Sequence, residues 1–119
     1  MRRTIPLLLA FAVLLAGCGA PKTKPLSVAD SVTVDGATAH AVSVFLAAGH
    51  TMSWNWTSTG KLRFDIHDQG NNTEHVVQEG LAGEGKLKAP AEGPYVLQWE
   101  NRGNVSVALT YRFSGDALQ

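Results

Sequence analysis

From Met52 onward, long stretches of the chain alternate apolar and polar residues one by one. Met52, Trp54 and Trp56 interleave with Ser53, Asn55 and Thr57. After Ser58-Thr59-Gly60, Leu62, Phe64 and Ile66 interleave with Arg63, Asp65 and His67. A period of two puts successive side chains on opposite faces of an extended strand, so one face is buried and the other wetted. A helix needs a period near 3.6 and is excluded here. Two such runs around a short Gly-containing segment predict an antiparallel hairpin with Met, two Trp, Leu, Phe and Ile on its inner face. A large apolar side chain contributes about 1.5–3 kcal/mol when fully buried, which makes this hairpin the predicted centre of the core.

The pattern recurs on both sides. Val32 and Val34 precede an Asp35-Gly36 turn signal, and Val42, Val44 and Leu46 alternate with Ser43 and Phe45. Alanines between Ala37 and Ala48 would also suit a helix, but the β-branched residues and Gly49 favour a strand. Tyr95, Leu97 and Trp99 oppose Val96, Gln98 and Glu100. Beyond Asn101-Arg102-Gly103-Asn104, Val105, Val107, Leu109, Tyr111 and Phe113 alternate with Ser106, Ala108, Thr110 and Arg112, predicting a second hairpin. Between the hairpins, His75 to Gln78 reads as a weak strand, Gly80 to Gly85 as flexible, and Lys86 to Ala89 as a charged edge strand. Seven or eight strands with no helix between them predict an all-β domain, an antiparallel β-sandwich of jelly-roll type. It spans residues 31–115, with a frayed tail at 116–119.

The N-terminus follows a different logic. Met1-Arg2-Arg3-Thr4 is basic and Ile5 to Ala16 is apolar, the layout of a secretory signal. As a helix the apolar run reaches only about 20 Å against about 30 Å of hydrocarbon, so a removed signal peptide at 1–17 is expected rather than a membrane span. Leu15-Ala16-Gly17-Cys18 closes the run and resembles the lipobox of bacterial lipoproteins. The resemblance implies a diacylglyceryl group on the Cys18 sulfur, cleavage before Cys18 and often acylation of the new amine. One acyl chain holds a protein marginally, two or three hold it firmly. Gly19, where an Asp often signals inner-membrane retention, implies the periplasmic side of the outer membrane in a two-membrane cell. In a one-membrane cell the same anchor implies the outer face of the cell membrane. Residues 18–30, with Pro21, Pro25, Lys22 and Lys24, read as the lipidated cysteine and a flexible tether, roughly 40 Å at full stretch.

What remains after cleavage is about 100 residues, enough for one domain with a small core. Loss of Arg2 and Arg3 turns a balance of ten basic and ten acidic residues into a slight acidic excess. That balance argues against nucleic acid as a partner. The single cysteine is consumed by the anchor, which leaves no disulfide framework and no thiolate metal site.

Several segments share a further resemblance. Trp54-Asn55-Trp56, Phe64-Asp65-Ile66-His67, Glu92 to Asn101 with its Gly93-Pro94-Tyr95 corner, and Val105 to Tyr111 together resemble the GOLD (Golgi dynamics) domain. That family is a compact β-sandwich, and its members in the early secretory pathway are thought to bind proteins. The cysteine pair, coiled coil and membrane span of its cargo receptors are missing here, so cargo-receptor function is not implied. The bacterial pre-peptidase C-terminal domain is a second, similar jelly-roll family.

Residues that could carry chemistry are few. His40, His50, His67 and His75 form no H-x-H or H-x₃-H pair. Asp65 and His67 share one strand face and could offer two metal ligands, with His75 from a neighbouring strand, but alternating polar residues on a wetted face account for them more simply. No G-x-S-x-G elbow is present. Trp54, Trp56 and Trp99 fall on apolar faces and are expected in the core. The sequence therefore predicts a non-enzymatic protein without cofactor or metal, lipid-anchored in the bacterial envelope and acting as an interaction or accessory module. Its predicted partners are the membrane, through lipid on Cys18, and another envelope protein, met by Asp65, His67 and Arg102. A small-ligand or carbohydrate binder is the alternative.

Overall fold

A computed structural model describes residues 22–118. They form six antiparallel strands and no helix: β1 (Thr23–Val34), β2 (Ala39–Leu46), β3 (Thr51–Asp68), β4 (Glu74–Lys88), β5 (Gly93–Glu100) and β6 (Val107–Leu118). β3 is the hub. Along one edge it pairs with β4, from Thr51 opposite Lys88 to His67 opposite Glu74. Its other edge is shared: Ser53 to Ser58 pair with β6, and Arg63 to Asp68 pair with β5. β1 lies along the far side of β6, and β2 along the far side of β5. Leu46 of β2 opposite Ala117 of β6 closes the sheet into a small barrel. β1 and β4 are left as edges.

The ring depends on a corner in the β3–β4 ribbon. Between Thr57 opposite Ala82 and Leu62 opposite Gly80, β3 carries more residues than β4, a bulge that bends the ribbon and sharpens its twist. Ser58-Thr59-Gly60 sits in it. Ser58 Oγ donates to Gly60 O (2.7 Å), and Thr59 Oγ1 accepts from Ala108 N of β6 (2.9 Å). On β4, Gly80 supplies the matching bend with φ +138°, a backbone state side chains rarely adopt.

Inside, the alternating faces meet as one core. Trp54 and Trp56 flank Phe64 (5.8 and 5.9 Å between ring centroids), Phe64 packs on Trp99 (4.9 Å), Trp99 on Tyr111 (4.6 Å) and Tyr111 on His40 (5.5 Å). This chain of rings ties β3, β5, β6 and β2 together. All three tryptophans are buried, as expected. Their size is accommodated by β4: Trp54 lies opposite Gly85 and Trp56 opposite Gly83. A Cβ at Gly85 would sit 2.7 Å from the Trp54 ring, and one at Gly83 would run into the Trp56 indole and Gln78 Oε1. Gln78 Oε1 accepts from both indole N–H groups (3.3 and 3.4 Å), while its Nε2 donates to Glu84 O (2.9 Å). The glycines at 83 and 85, expected to be flexible, are where two indoles need room.

Several expectations change. Six strands stand where seven or eight were expected, because Ser58 to Gly60 and Gly80 to Gly85 bend continuous strands instead of ending them. The second expected hairpin is not one: β5 and β6 are not neighbours but occupy different stretches of the same β3 edge. Their connection is held by the buried Asn101, whose Nδ2 donates to Val34 O (3.0 Å) and Val105 O (2.8 Å). Val105, expected to face inward, is 71% exposed. The tether is shorter than expected, since β1 begins at Thr23 and pairs with β6 in unbroken register. Leu26, Val28 and Val32 pack against the core, and Pro25 is accommodated on an edge strand, where one side of the backbone is free. The expected tail is strand as far as Leu118, with Ala117 buried. The expected signal peptide at 1–17 with its helix, and Cys18, lie outside the described residues.

Two outcomes follow from this packing. Gly83→Ala overpacks the Trp56–Gln78 contact and is expected to cost about 1–3 kcal/mol, read as a lower urea midpoint at unchanged slope. Burial, and secondarily the charge of Asp30, push the Tyr111 hydroxyl above its ordinary value of 10.0. The folded state therefore favours the neutral phenol, and that stabilisation is lost as pH rises from the ordinary value through the folded one. Tyr111→Phe is expected to show a shallower decline of melting temperature above about pH 10 than the parent chain.

Candidate functional site

On the outer face of the β3–β5 half, Arg63, Asp65 and His67 stand at alternate positions of β3. They lie opposite Glu100, Gln98 and Val96 of β5. Alternation puts all three side chains on one face, and the chemistry joins them. Arg63 Nη1 donates to Asp65 Oδ2 (2.9 Å), and His67 Nδ1 donates to Asp65 Oδ1 (2.6 Å). Each oxygen of a buried carboxylate thus takes one donor, which is what keeps a buried charge affordable. Arg63 Nη2 reaches across to Glu74 Oε2 of β4 (2.9 Å). That hydrogen bond, with the charges of Glu74, Asp65 and Glu100 and against the effect of burial, raises the Arg63 pKa above its already high ordinary value, so it is a fixed cation. A shallow depression of about 420 Å³ is lined here by these groups with Asn72 and Gln98.

Arg102 lies elsewhere, on the exposed part of the 101–106 connection that follows the buried Asn101. Its Nε donates to Glu100 Oε1 (3.1 Å), and both side chains are well exposed, an arrangement worth at most about 1 kcal/mol. It borders a larger groove of about 510 Å³ at the β3 corner, together with Lys61, Arg63, Glu79, Glu100 and Val105. Arg63 thus belongs to both hollows and stands between Arg102 and the Asp65–His67 pair. Of the three residues expected to face a partner, the structure unites Asp65 with His67 and sets Arg102 apart. Asp65 itself is buried, so its charge reaches the surface only through Arg63 and His67, each about one-fifth exposed (19%).

Sequence reasoning missed Arg63, Glu74 and Val105 as site residues. Arg63 had a readable signal, opposite charges at i and i+2 on one strand face. Glu74 had none, because its position depends on how β4 pairs. The remaining histidines disperse: His40 Nε2 meets Tyr111 Oη (3.1 Å), His50 Nδ1 meets Asp116 Oδ2 (3.4 Å), and His75 packs on Tyr95 (5.7 Å) rather than joining Asp65 and His67. Among the described residues no three or more His, Cys, Asp or Glu side chains gather closely enough to hold a metal ion. What the arrangement offers is an internally satisfied charged platform beside a groove rimmed by exposed lysine and arginine side chains.

The chain matches no protein-family model and no curated protein sequence. Among solved structures, its fold is similar to that of PliG from Aeromonas hydrophila, a periplasmic lysozyme inhibitor of g-type lysozyme. The two chains are 20% identical, the match covers 90% of this chain and 92% of the other, and the TM-score is 0.61. The likeness extends over nearly all of both chains and concerns the fold.

Removing the central carboxylate tests the platform. Asp65→Ala leaves Arg63 and His67 without their shared acceptor and is expected to destabilise the domain by about 3 kcal/mol, measured by equilibrium urea unfolding. Glu74→Ala, which removes an exposed partner only, is expected to cost less than about 1 kcal/mol.

Proposed function

We propose that this chain is a lipid-anchored, non-catalytic accessory protein of the bacterial envelope that works by binding another envelope protein. The observation that carries the anchor is Leu15-Ala16-Gly17-Cys18, placed directly after a short apolar run. Only the cysteine in that group offers a sulfur nucleophile for lipid transfer, and the residues before it are small. Support for the binding role comes from three sides. The outer face carries a charged platform beside an open groove. The fold is like that of a periplasmic inhibitor of g-type lysozyme, a protein that acts by binding another protein. The segments that resemble GOLD domains point to the same kind of use.

In this reading the docking surface is the groove between the β3 corner and the 101–106 connection. Arg102 and Val105 stand at its rim, and Arg63 joins it to the Asp65–His67 pair in the neighbouring depression. A glycan-cleaving enzyme of the lysozyme kind is the first partner to try, and the outer membrane, on its periplasmic side, is the proposed location in a two-membrane cell. The groove also suits a second reading, a small ligand or sugar held among Lys61, Glu79, Glu100 and Arg102.

Labelled palmitate is expected to enter the parent chain and not Cys18→Ser. Incorporation that survives the substitution sinks the anchor. Crosslinking and pull-down from envelope membranes, alongside inhibition assays with a g-type lysozyme, are expected to give one stoichiometric protein partner that Arg102→Glu weakens. Retention on a glycan array without any protein partner would favour the second reading.

A further inference from the structure

The two ends of the barrel differ in composition, and contacts define each. At one end the 35–38 turn, the β3 corner and the 101–106 connection meet: Ala37 N donates to Gly103 O (2.9 Å), and Gly60 lies against Val107. Apart from Val105, and Leu81 where β4 bends past the corner, these segments are polar or glycine-rich. At the other end the 47–50 and 89–92 connections meet, with Gly49 N donating to Ala89 O (2.8 Å) and Ala89 N to His50 O (2.9 Å). Their sequences, Ala47-Ala48-Gly49-His50 and Ala89-Pro90-Ala91-Glu92, are mostly apolar, and Ala48, Pro90 and Ala91 are exposed. Phe45, opposite Pro94 at the same end, is 50% exposed. β1 begins here, with Thr23 opposite Leu118, and exposed Lys22 and Lys24 flank that start, while exposed Lys88 lies opposite Thr51. The acids at this end are Glu92, Asp116 beside His50, and Asp68 opposite Tyr95, the last half-buried and tied to the polar 69–73 loop through Gly70 N (2.8 Å); that loop borders the end through Gln69 N to Pro94 O (3.1 Å).

The length of chain before β1 decides what this end faces. Four residues, Gly19 to Lys22, separate Cys18 from Thr23, so the two are at most about 18 Å apart. The opposite end lies a β1 length farther, about 35 Å. We infer that the Phe45 end is a docking surface for the anionic phospholipid bilayer that carries the anchor, with Phe45, Ala48, Pro90 and Ala91 entering the headgroup layer and Lys22, Lys24 and Lys88 meeting phosphate. The inference rests on the reading of Cys18 as lipidated. Aromatic and small apolar groups suit the interfacial zone, and lysines reach phosphate while laying their stems on apolar surface. The domain then stands on its Phe45 end and presents the Arg102 groove outward.

Because lipidation uses the Cys18 sulfur, Ala48→Cys and Val105→Cys each add one reactive thiol to the full-length lipidated protein. Each is labelled with a bimane fluorophore and reconstituted into vesicles of phosphatidylethanolamine and phosphatidylglycerol that contain nitroxide-headgroup lipid. Strong quenching at position 48 and little at position 105 is expected. Phe45→Ser is expected to lower the docked-to-undocked ratio at position 48 roughly fivefold, the worth of half-burying a phenyl ring. Lys24→Glu with Lys88→Glu is expected to weaken it further and to remove its salt dependence. Vesicle flotation reports the anchor separately. Protein that floats with its vesicles yet shows equal quenching at 48 and 105 overturns the docking and leaves the anchor standing. Protein that does not float overturns the anchor, and the docking with it.

Discussion

The fold depends on one constraint: β3 must serve β6 with its first half and β5 with its second, and it can do so only if the β3–β4 ribbon bends sharply without breaking. Two things hold the bend. The bulge at Ser58 to Lys61 supplies the extra backbone, and the two indoles laid over Gly83 and Gly85 and capped by Gln78 fix how the ribbon sits on the core. Everything else hangs from the edges this creates. β6 brings β1, β5 brings β2, and the Leu46–Ala117 pairing closes the ring. A sheet closed in this way has no free strands in its interior, and its edges are reduced to β1 and β4.

Much of this was legible as strands and little of it as pairings. Alternation identifies an extended segment with one buried face, and it located Met52 to Trp56, Leu62 to Ile66, Tyr95 to Trp99 and Val107 to Phe113 correctly because their large side chains leave no ambiguity of face. It cannot tell a hairpin turn from a bend, since Ser58-Thr59-Gly60 satisfies both. β1 was hidden by chemistry rather than by absence of signal. Leu26, Val28, Val32 and Val34 keep the period of two, but Pro21, Pro25 and two lysines read as breakers when the position of the strand at an edge is unknown. Gly80 to Gly85 was hidden for the opposite reason: glycine reads as freedom, whereas here it records the volume of tryptophans on a different strand.

The candidate site shows the same division. Asp65 and His67 could be placed on one face from their spacing alone. That Asp65 would be buried beneath Arg63 and His67 depends on β4 and β5 flanking it on both sides, which is a property of the closed sheet. Burial changes what the residue can be. An exposed aspartate is a contact point, whereas a buried one with two donors is a hinge pin for the groups that do reach solvent.

The first strand pairs with the last, residue for residue, from Thr23 opposite Leu118 to Val34 opposite Val107. Contacts so far apart along the chain are slow to form, because loop closure costs entropy before any pairing rewards it. β1 has no place to go until β6 exists, so the domain cannot complete itself while its C-terminus is still being made. During synthesis β1 is therefore without a partner strand until β6 has been made. A fold that finishes with its own beginning is complete only when its first strand and its last have met.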